Sequence, residues 1–485
     1  MMKTQRIQRK PQQVRLKPKQ VRLKPDTTYV LVVLLFLSVV SGFSRTASAQ
    51  DTDLDPRIVK LVSSVSEERL GAILKKLESF ETRSTLSSTT STTRGIGAAR
   101  QWILDEMKSY SPKLQVSFDT YQVVAQGRIT RDVELRNVMA VLPGRSPRRI
   151  YVSGHYDTVA RPGGQGSANA APADPDARTV APADPNAPLD NLAPGVNDDG
   201  SGTALTIELA RVFGQSGIDF DATLVFMCHV GEEQGLVGAR LHAQKAVAQK
   251  IPIEAVFNND IVGNDRGGNG IIDGATIRVY SEGPEDSPSR ELARFVQRWG
   301  GRYVPSHKVR PMGRPDRFGR GGDHSAYNAL GFTAVGFRES RENFTRQHDV
   351  RDTLEGLSLP YLAQNARVNA ASAATLALAP PPPSVLSDRS QPMITRAPTG
   401  YDANLKWNAS PGAAAYRIFW REAWGQDWQQ DVRVGNVTSV ILPNMQIDDY
   451  VFGVAAIDAA GHESFVTAYV TPPRVSTDIK TKPGT

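Results

Sequence analysis

The chain has 485 residues, 40% of them hydrophobic and 22% charged, a balance that excludes both a multi-spanning membrane protein and an extended disordered chain. Its formal charge is +7, but ten of the 57 basic residues and one of the 50 acidic residues fall in positions 1–49, leaving 47 basic against 49 acidic in the remainder. The basicity belongs to the leader, so no nucleic-acid or anionic-membrane partner is implied.

The leader combines a long basic stretch, an apolar run from Tyr29 to Phe43 and Ala47-Ser48-Ala49 before Gln50. That layout predicts a signal peptide over 1–49 and a secreted or periplasmic location. An apolar run of about 15 residues falls short of the roughly 20 needed to span a bilayer, so no stable membrane insertion is expected after cleavage. Val-Arg-Leu-Lys-Pro occurs at 14–18 and again at 21–25, a duplication with no folded role. The single cysteine, Cys228, leaves no intramolecular disulfide, and its apolar surroundings from Ala222 mark it as a packed core residue.

From Asp55 to Tyr110 the pattern is helical. Leu70, Ile73, Leu74 and Leu77 form one face, a Ser/Thr-rich loop follows at 84–93, and a second helix begins near Gly97. Short β-type runs then alternate with helical ones, at Asn137 to Leu142, Ile150 to Ser153, Thr223 to Cys228, Ala255 to Asn258, Ile277 to Tyr280 and Thr333 to Phe337. Alternation of this kind predicts an α/β fold with a central sheet between helices. Residues 161–190 interrupt it with Gly, Ala, Pro and Asp, and read as a solvated insertion with no core of its own.

Pro380 to Pro383 mark a stiff boundary, beyond which short strands are predicted at Asn404 to Trp407, Ala415 to Trp420, Thr438 to Leu442 and Tyr450 to Ile457. Trp407 as the core indole and Tyr450 as a corner tyrosine make this region resemble a fibronectin type III module. Such a module implies binding to a surface, a polysaccharide or another protein. The expected divisions are a catalytic unit over 50–378, a Pro-rich linker over 379–392, the all-β sandwich over 393–475 and a tail over 476–485.

Five stretches place Asp, Glu and His where predicted strands give way to loops, which is where open α/β sheets build sites. They are Ser153-Gly154-His155-Tyr156-Asp157, Asn197-Asp198-Asp199-Gly200-Ser201-Gly202, Gly231-Glu232-Glu233-Gln234-Gly235, Asn258-Asn259-Asp260, and Gln347-His348-Asp349-Val350-Arg351-Asp352-Thr353. Any one alone reads as surface residues or a helix cap. Together their imidazoles and carboxylates suit zinc, and five such groups can hold two ions with one carboxylate shared. The pair Glu232-Glu233 is costly to bury at a strand end without cations, and allows one carboxylate to bind metal while the other handles protons. Glycines 200 and 202 are expected to let the chain turn tightly into a helix whose core face is Leu205, Leu209, Val212 and Phe213.

These motifs, in this order over Ile58 to Leu378 and with Asn137 to Gly144 and Gly331 to Phe337 between them, resemble the co-catalytic zinc aminopeptidases, a family that includes secreted bacterial leucine aminopeptidases and aminopeptidase Y. The resemblance implies a mixed central sheet of the zinc exopeptidase type and two zinc ions per chain. It also implies removal of N-terminal residues from peptides by a water bridging the metals. Carried over, it makes His155 and Asp260 ligands of one zinc, Glu233 and His348 ligands of the other, Asp198 the bridge and Glu232 the general base. Asp157 is the carboxylate that orients the His155 imidazole, and Asp323 and His324 lie near the substrate pocket. Many relatives have Tyr before the last histidine where this chain has Gln347, so the oxyanion donor is left unassigned. A carboxypeptidase or dipeptidase of the same fold shares the metal core, a glutaminyl cyclase uses one zinc on a related scaffold, and a non-catalytic adhesion protein would need none.

Overall fold

The computed structural model describes residues 54–160 and 190–470. The expected signal peptide, all but the last residue of the 161–190 insertion and the 476–485 tail lie outside the described residues. Helices α1 (Pro56–Ser63), α2 (Glu67–Glu78) and α3 (Gly95–Tyr110) precede an eight-stranded sheet. Ser66 caps α2 by accepting the Arg69 amide, and Leu70, Ile73, Leu74 and Leu77 are buried as the periodicity predicts.

The strands are β1 (Gln115–Val123), β2 (Val133–Leu142), β3 (Arg149–His155), β4 (Thr223–His229), β5 (Ile253–Asn259), β6 (Thr276–Ser281), β7 (Lys308–Met312) and β8 (Ala334–Glu339). Their order is β1-β2-β4-β3-β5-β8-β6-β7. The central strands β4, β3, β5 and β8 run parallel, while β2 and β6 pair antiparallel on either side, so the sheet is mixed. Six strands match the sequence reading. The additional β1 and β7 are edge strands, one half-exposed along its length and the other carrying Pro311, so neither has the apolar run that marks a central strand.

Alternation along the strands divides the interior between two faces. Ile150, Val152, Leu224, Phe226 and Cys228 join the larger core beneath α1 to α3, α4 (Gly200–Gln215) and α9 (Leu359–Leu378). Tyr151, Val225, Met227 and Val256 face the other way, against α5 (Val237–Ala248) and α8 (Asp323–Asn328). Between β6 and β7, α6 (Pro288–Phe295) passes through a π turn at Val296–Gly300 into the short α7 (Gly301–Tyr303). None of the helices among the described residues is long and apolar enough to cross a membrane.

The C-terminal region is all β. Strands β9 (Ile394–Thr395), β10 (Ala403–Lys406) and β13 (Ser439–Leu442) form one antiparallel sheet, and β11 (Ala415–Glu422), β12 (Gln430–Val434), β14 (Tyr450–Ile457) and β15 (Thr467–Ala468) form a second. Leu405, Trp407, Tyr416, Ile418, Phe452 and Val454 make the core between them, with the Trp407 and Tyr416 rings 5.3 Å apart. Val385 already belongs to that core. The Tyr450 ring lies tilted beside that of Phe452, and the Tyr469 hydroxyl donates to the Lys406 carbonyl.

This sandwich docks on the α/β unit. Trp428 donates its indole N–H to Glu291 of α6 at 2.8 Å, Arg421 pairs with Asp286 and Arg298 with Glu463. His462 bridges Asp458 at 2.7 Å and Asp55, the cap of α1, at 2.8 Å.

Candidate metal centre

Four parallel strands point their carboxyl ends at one place. His155 is the last residue of β3, Asp260 follows β5, Glu232 and Glu233 lie just beyond β4, and His348 stands in the loop after β8. Asp198 comes from the turn that enters α4. The five residues expected to bind metal form two groups, His155, Asp198 and Asp260 in one and Asp198, Glu233 and His348 in the other, with ligand atoms within 4.8 Å of one another inside each group. The shared member is Asp198. Its Oδ1 lies 3.4 Å from His155 Nε2 and its Oδ2 3.2 Å from His348 Nε2, while His348 Nε2 is 3.1 Å from Glu233 Oε1.

Main-chain hydrogen bonds hold the turn. The Asp352 carboxylate accepts the amides of Asn197 and Asp198, at 2.9 Å each, and the Asp199 carboxylate accepts those of His155 and Gly202. Buried Arg83 clamps the approach by donating to the carbonyls of Tyr156, Pro194 and Gly195. A Cβ on Gly202 would stand 1.9 Å from the Asn259 carbonyl oxygen. The positive φ needed for the turn belongs to Gly195, whereas Gly202 is required for close approach of α4 to β5, a different reason from the tight turn read in the sequence. His348 has φ of +54°, a left-handed conformation uncommon for a non-glycine residue and often retained at functional sites.

Asp157 acts on both sides of the cluster. Its carbonyl is 3.1 Å from His155 Nδ1 and its carboxylate 3.6 Å, so the closer partner of the imidazole is the main chain. The carboxylate accepts the amides of Glu232 and Glu233 instead, at 3.2 Å each, and the Thr85 hydroxyl. Glu232 is the most open of the acidic residues, its side chain 15% exposed with Oε2 4.0 Å from His155 Nε2.

The electrostatics are those of a buried acidic cluster. Burial opposes charging of His155, but the carboxylates of Asp157, Asp198 and Asp260 hold its protonation well above the ordinary imidazole range. Burial likewise opposes His348, and Glu233 and Asp198 raise it to about 10. Burial, reinforced by Asp260 and Glu233, pushes Glu232 well above a usual glutamate. Without a cation the set balances its charge by protonating imidazoles, and an imidazole must be neutral to ligate. Two buried ligand atoms, His155 Nε2 and Glu233 Oε1, also have no well-formed hydrogen bond among the described residues. The donor types and these orphaned atoms fit zinc.

Asp323 is brought to the same cluster and His324 is not used there. Asp323 is 1% exposed with neither carboxylate oxygen hydrogen-bonded among the described residues, and burial drives it up to about 8 although His155 opposes this. His324 is fully buried, bonds the Pro315 carbonyl at 2.9 Å and packs its ring on Gly336. Gln347 is committed too, its amide donating to Glu342 at 3.2 Å and its carbonyl accepting from Arg320 at 3.1 Å. Sequence reasoning missed Arg338, which pairs with Asp260 at 2.6 Å and Asp316 at 2.7 Å. A charged Arg-Glu pair ending the apolar run of β8 was the available signal.

An acidic and imidazole cluster at the carboxyl edge of a mixed sheet is the arrangement of a metal-binding site. The model of peptidase family M28 matches residues 137–373. A "probable zinc metalloprotease" of Pyricularia oryzae is 35% identical over 468 residues, covering 88% of this chain and 86% of that protein. Another of Leptosphaeria maculans is 33% identical, covering 83% and 94%. The Legionella pneumophila LapA aminopeptidase structure superposes with a TM-score of 0.50 at 20% identity, covering 68% of this chain and 76% of that one, a likeness in fold. The chain belongs to peptidase family M28 and is a zinc metallopeptidase.

Proposed function

We propose that the protein is a secreted exopeptidase, an aminopeptidase, that binds two zinc ions. His155 and Asp260 hold one, Glu233 and His348 the other, and Asp198 holds both. The observation that carries this reading is that two groups of three potential ligands share Asp198. Zinc bound there supplies Lewis acidity to a water and to the scissile carbonyl. Glu232, the most open carboxylate beside His155, takes the proton from the attacking water and returns it to the leaving amine. Asp157 aims Glu232 and Glu233 through their amides.

Asp323 supports the preference for a free N-terminus. A carboxylate so buried and without a hydrogen-bond partner among the described residues calls for a cationic neighbour, and a substrate ammonium is one. The C-terminal sandwich, with three strands facing four and Trp407 in its core, is read as a fibronectin type III module that binds a surface, a polysaccharide or a protein. The leader over 1–49 directs export.

The experiment is metal analysis of the purified mature chain together with hydrolysis of leucine p-nitroanilide and its N-acetyl derivative. Two zinc ions per chain and turnover of the free amine alone are expected. One zinc with cyclisation of N-terminal glutamine, or equal turnover of the acetylated substrate, would overturn the reading.

A further inference from the structure

Beside the metal cluster, four guanidinium groups converge on Glu342 and Asp316. Glu342 accepts from Arg278 at 2.6 Å, Arg320 at 2.9 Å and Arg317 at 3.0 Å. Asp316 takes Arg317 and Arg338. Four arginines therefore share two carboxylates, apart from Asp260, which belongs to the metal set.

Three of the four arginines are used up or enclosed. Arg278 spends all three nitrogens on the Glu339 carbonyl, the Tyr280 hydroxyl and Glu342. Arg317 does the same with Asp316, Glu342 and the Gly321 carbonyl. Arg338 is fully buried. Arg320 differs. Only its Nη1 is engaged, by Glu342 and Gln347, and among the described residues no protein acceptor meets its Nε or Nη2. Its side chain is 21% exposed, and its guanidinium lies 6.0 Å from the ring of half-exposed Phe344.

Arg320 lies close to the cluster. Gln347, which Arg320 contacts, immediately precedes His348, Asp323 follows Arg320 by three residues, and Arg320 is within electrostatic reach of Asp198. With Nη1 held by Glu342 and Gln347, the Nε–Nη2 edge of the planar guanidinium offers two N–H donors side by side, which matches a carboxylate in two-point contact. We propose that Arg320 is a specificity residue that binds a carboxylate of the substrate, an inference that rests on the peptidase reading above. The carboxylate is either the C-terminus of a short peptide or an acidic side chain next to the scissile bond.

The test measures kcat/KM of the zinc-loaded full chain on two matched pairs, Leu-Ala against Leu-Ala-amide and Leu-Glu-amide against Leu-Gln-amide. Wild type should favour the carboxylate-bearing member of one pair by about 10- to 100-fold, mostly through KM, as expected for charge-assisted hydrogen bonds. The pair that responds identifies the source. R320Q should bring that ratio towards one, and R320K should restore part of it. Equal use of both members by wild type, or R320Q slowing all four substrates equally, as an oxyanion donor or a purely structural residue would, overturns the proposal while leaving the peptidase reading intact. No hydrolysis of any of the four sinks the aminopeptidase reading and this inference together.

Discussion

Replacing Asp352 with alanine should loosen the turn that presents the shared ligand. Its carboxylate, 2% exposed, accepts the Asn197 and Asp198 amides at 2.9 Å each, so truncation strands two buried donors. Each stranded donor costs about 1–3 kcal/mol, which gives about 2–6 kcal/mol for the turn, nearer the lower figure where water enters. Asp352 stands outside both candidate ligand groups, so the loss should appear in how well Asp198 is held. Residues that support metal ligands typically contribute about 10–100-fold in affinity. D352N keeps one acceptor but turns an amide NH2 towards a main-chain donor, and should fall between wild type and D352A. Zinc affinity by competition with a chelator, with thermal unfolding in the presence and absence of zinc, measures both effects. D352A binding zinc within about twofold of wild type, with an unchanged unfolding midpoint, would refute the argument, because a gap of that size is below the tenfold lower bound.

Glu232→Gln should retain bound zinc and lose about 10²–10⁴-fold in turnover, the range for a general base, as read by metal content beside steady-state rates. Gly202→Ala puts a methyl 1.9 Å from the Asn259 carbonyl oxygen, so soluble yield and metal content should both fall; a normally folded, zinc-loaded G202A would contradict the close approach. The Asp458-His462-Asp55 bridge, flanked by Arg57 at 3.3 Å from His462 Nε2, should make stability pH-dependent. Burial opposes protonation of His462, but the two aspartates raise its pKa, so its contribution is complete below the unfolded value of about 6.5 and is lost as pH rises through the folded value. Unfolding midpoints of wild type and H462Q should therefore differ most on the acid side of neutrality and converge at alkaline pH; a constant gap would exclude the histidine as the source.

The site was legible because metal chemistry restricts residue type. His155, Asp198, Glu233, Asp260 and His348 stand out wherever a predicted strand ends, and all five meet. What surrounds them was not legible. The role of Gln347 was left open, and its amide faces Glu342, while the Asp157 carboxylate holds two amides beyond β4 rather than serving the imidazole first. Hydrogen-bond partners 75 residues apart leave no periodic signal in the chain. The same holds for edge strands such as β1, whose half-exposed faces dilute the apolar pattern.

By itself the sequence determined the alternation of buried strands and amphipathic helices, the all-β character beyond Pro383 and the candidate metal ligands, because these follow from local periodicity and ligand chemistry. The tertiary structure alone decided that Asp198 stands between two groups, that Asp352, Asp199 and Arg83 hold its turn, and that among the described residues Arg320 engages only Nη1 where Arg278 and Arg317 engage all three nitrogens. Those outcomes depend on which of many similar carboxylates and guanidinium groups meet after the sheet assembles, and sheet register sets such meetings through contacts distant along the chain.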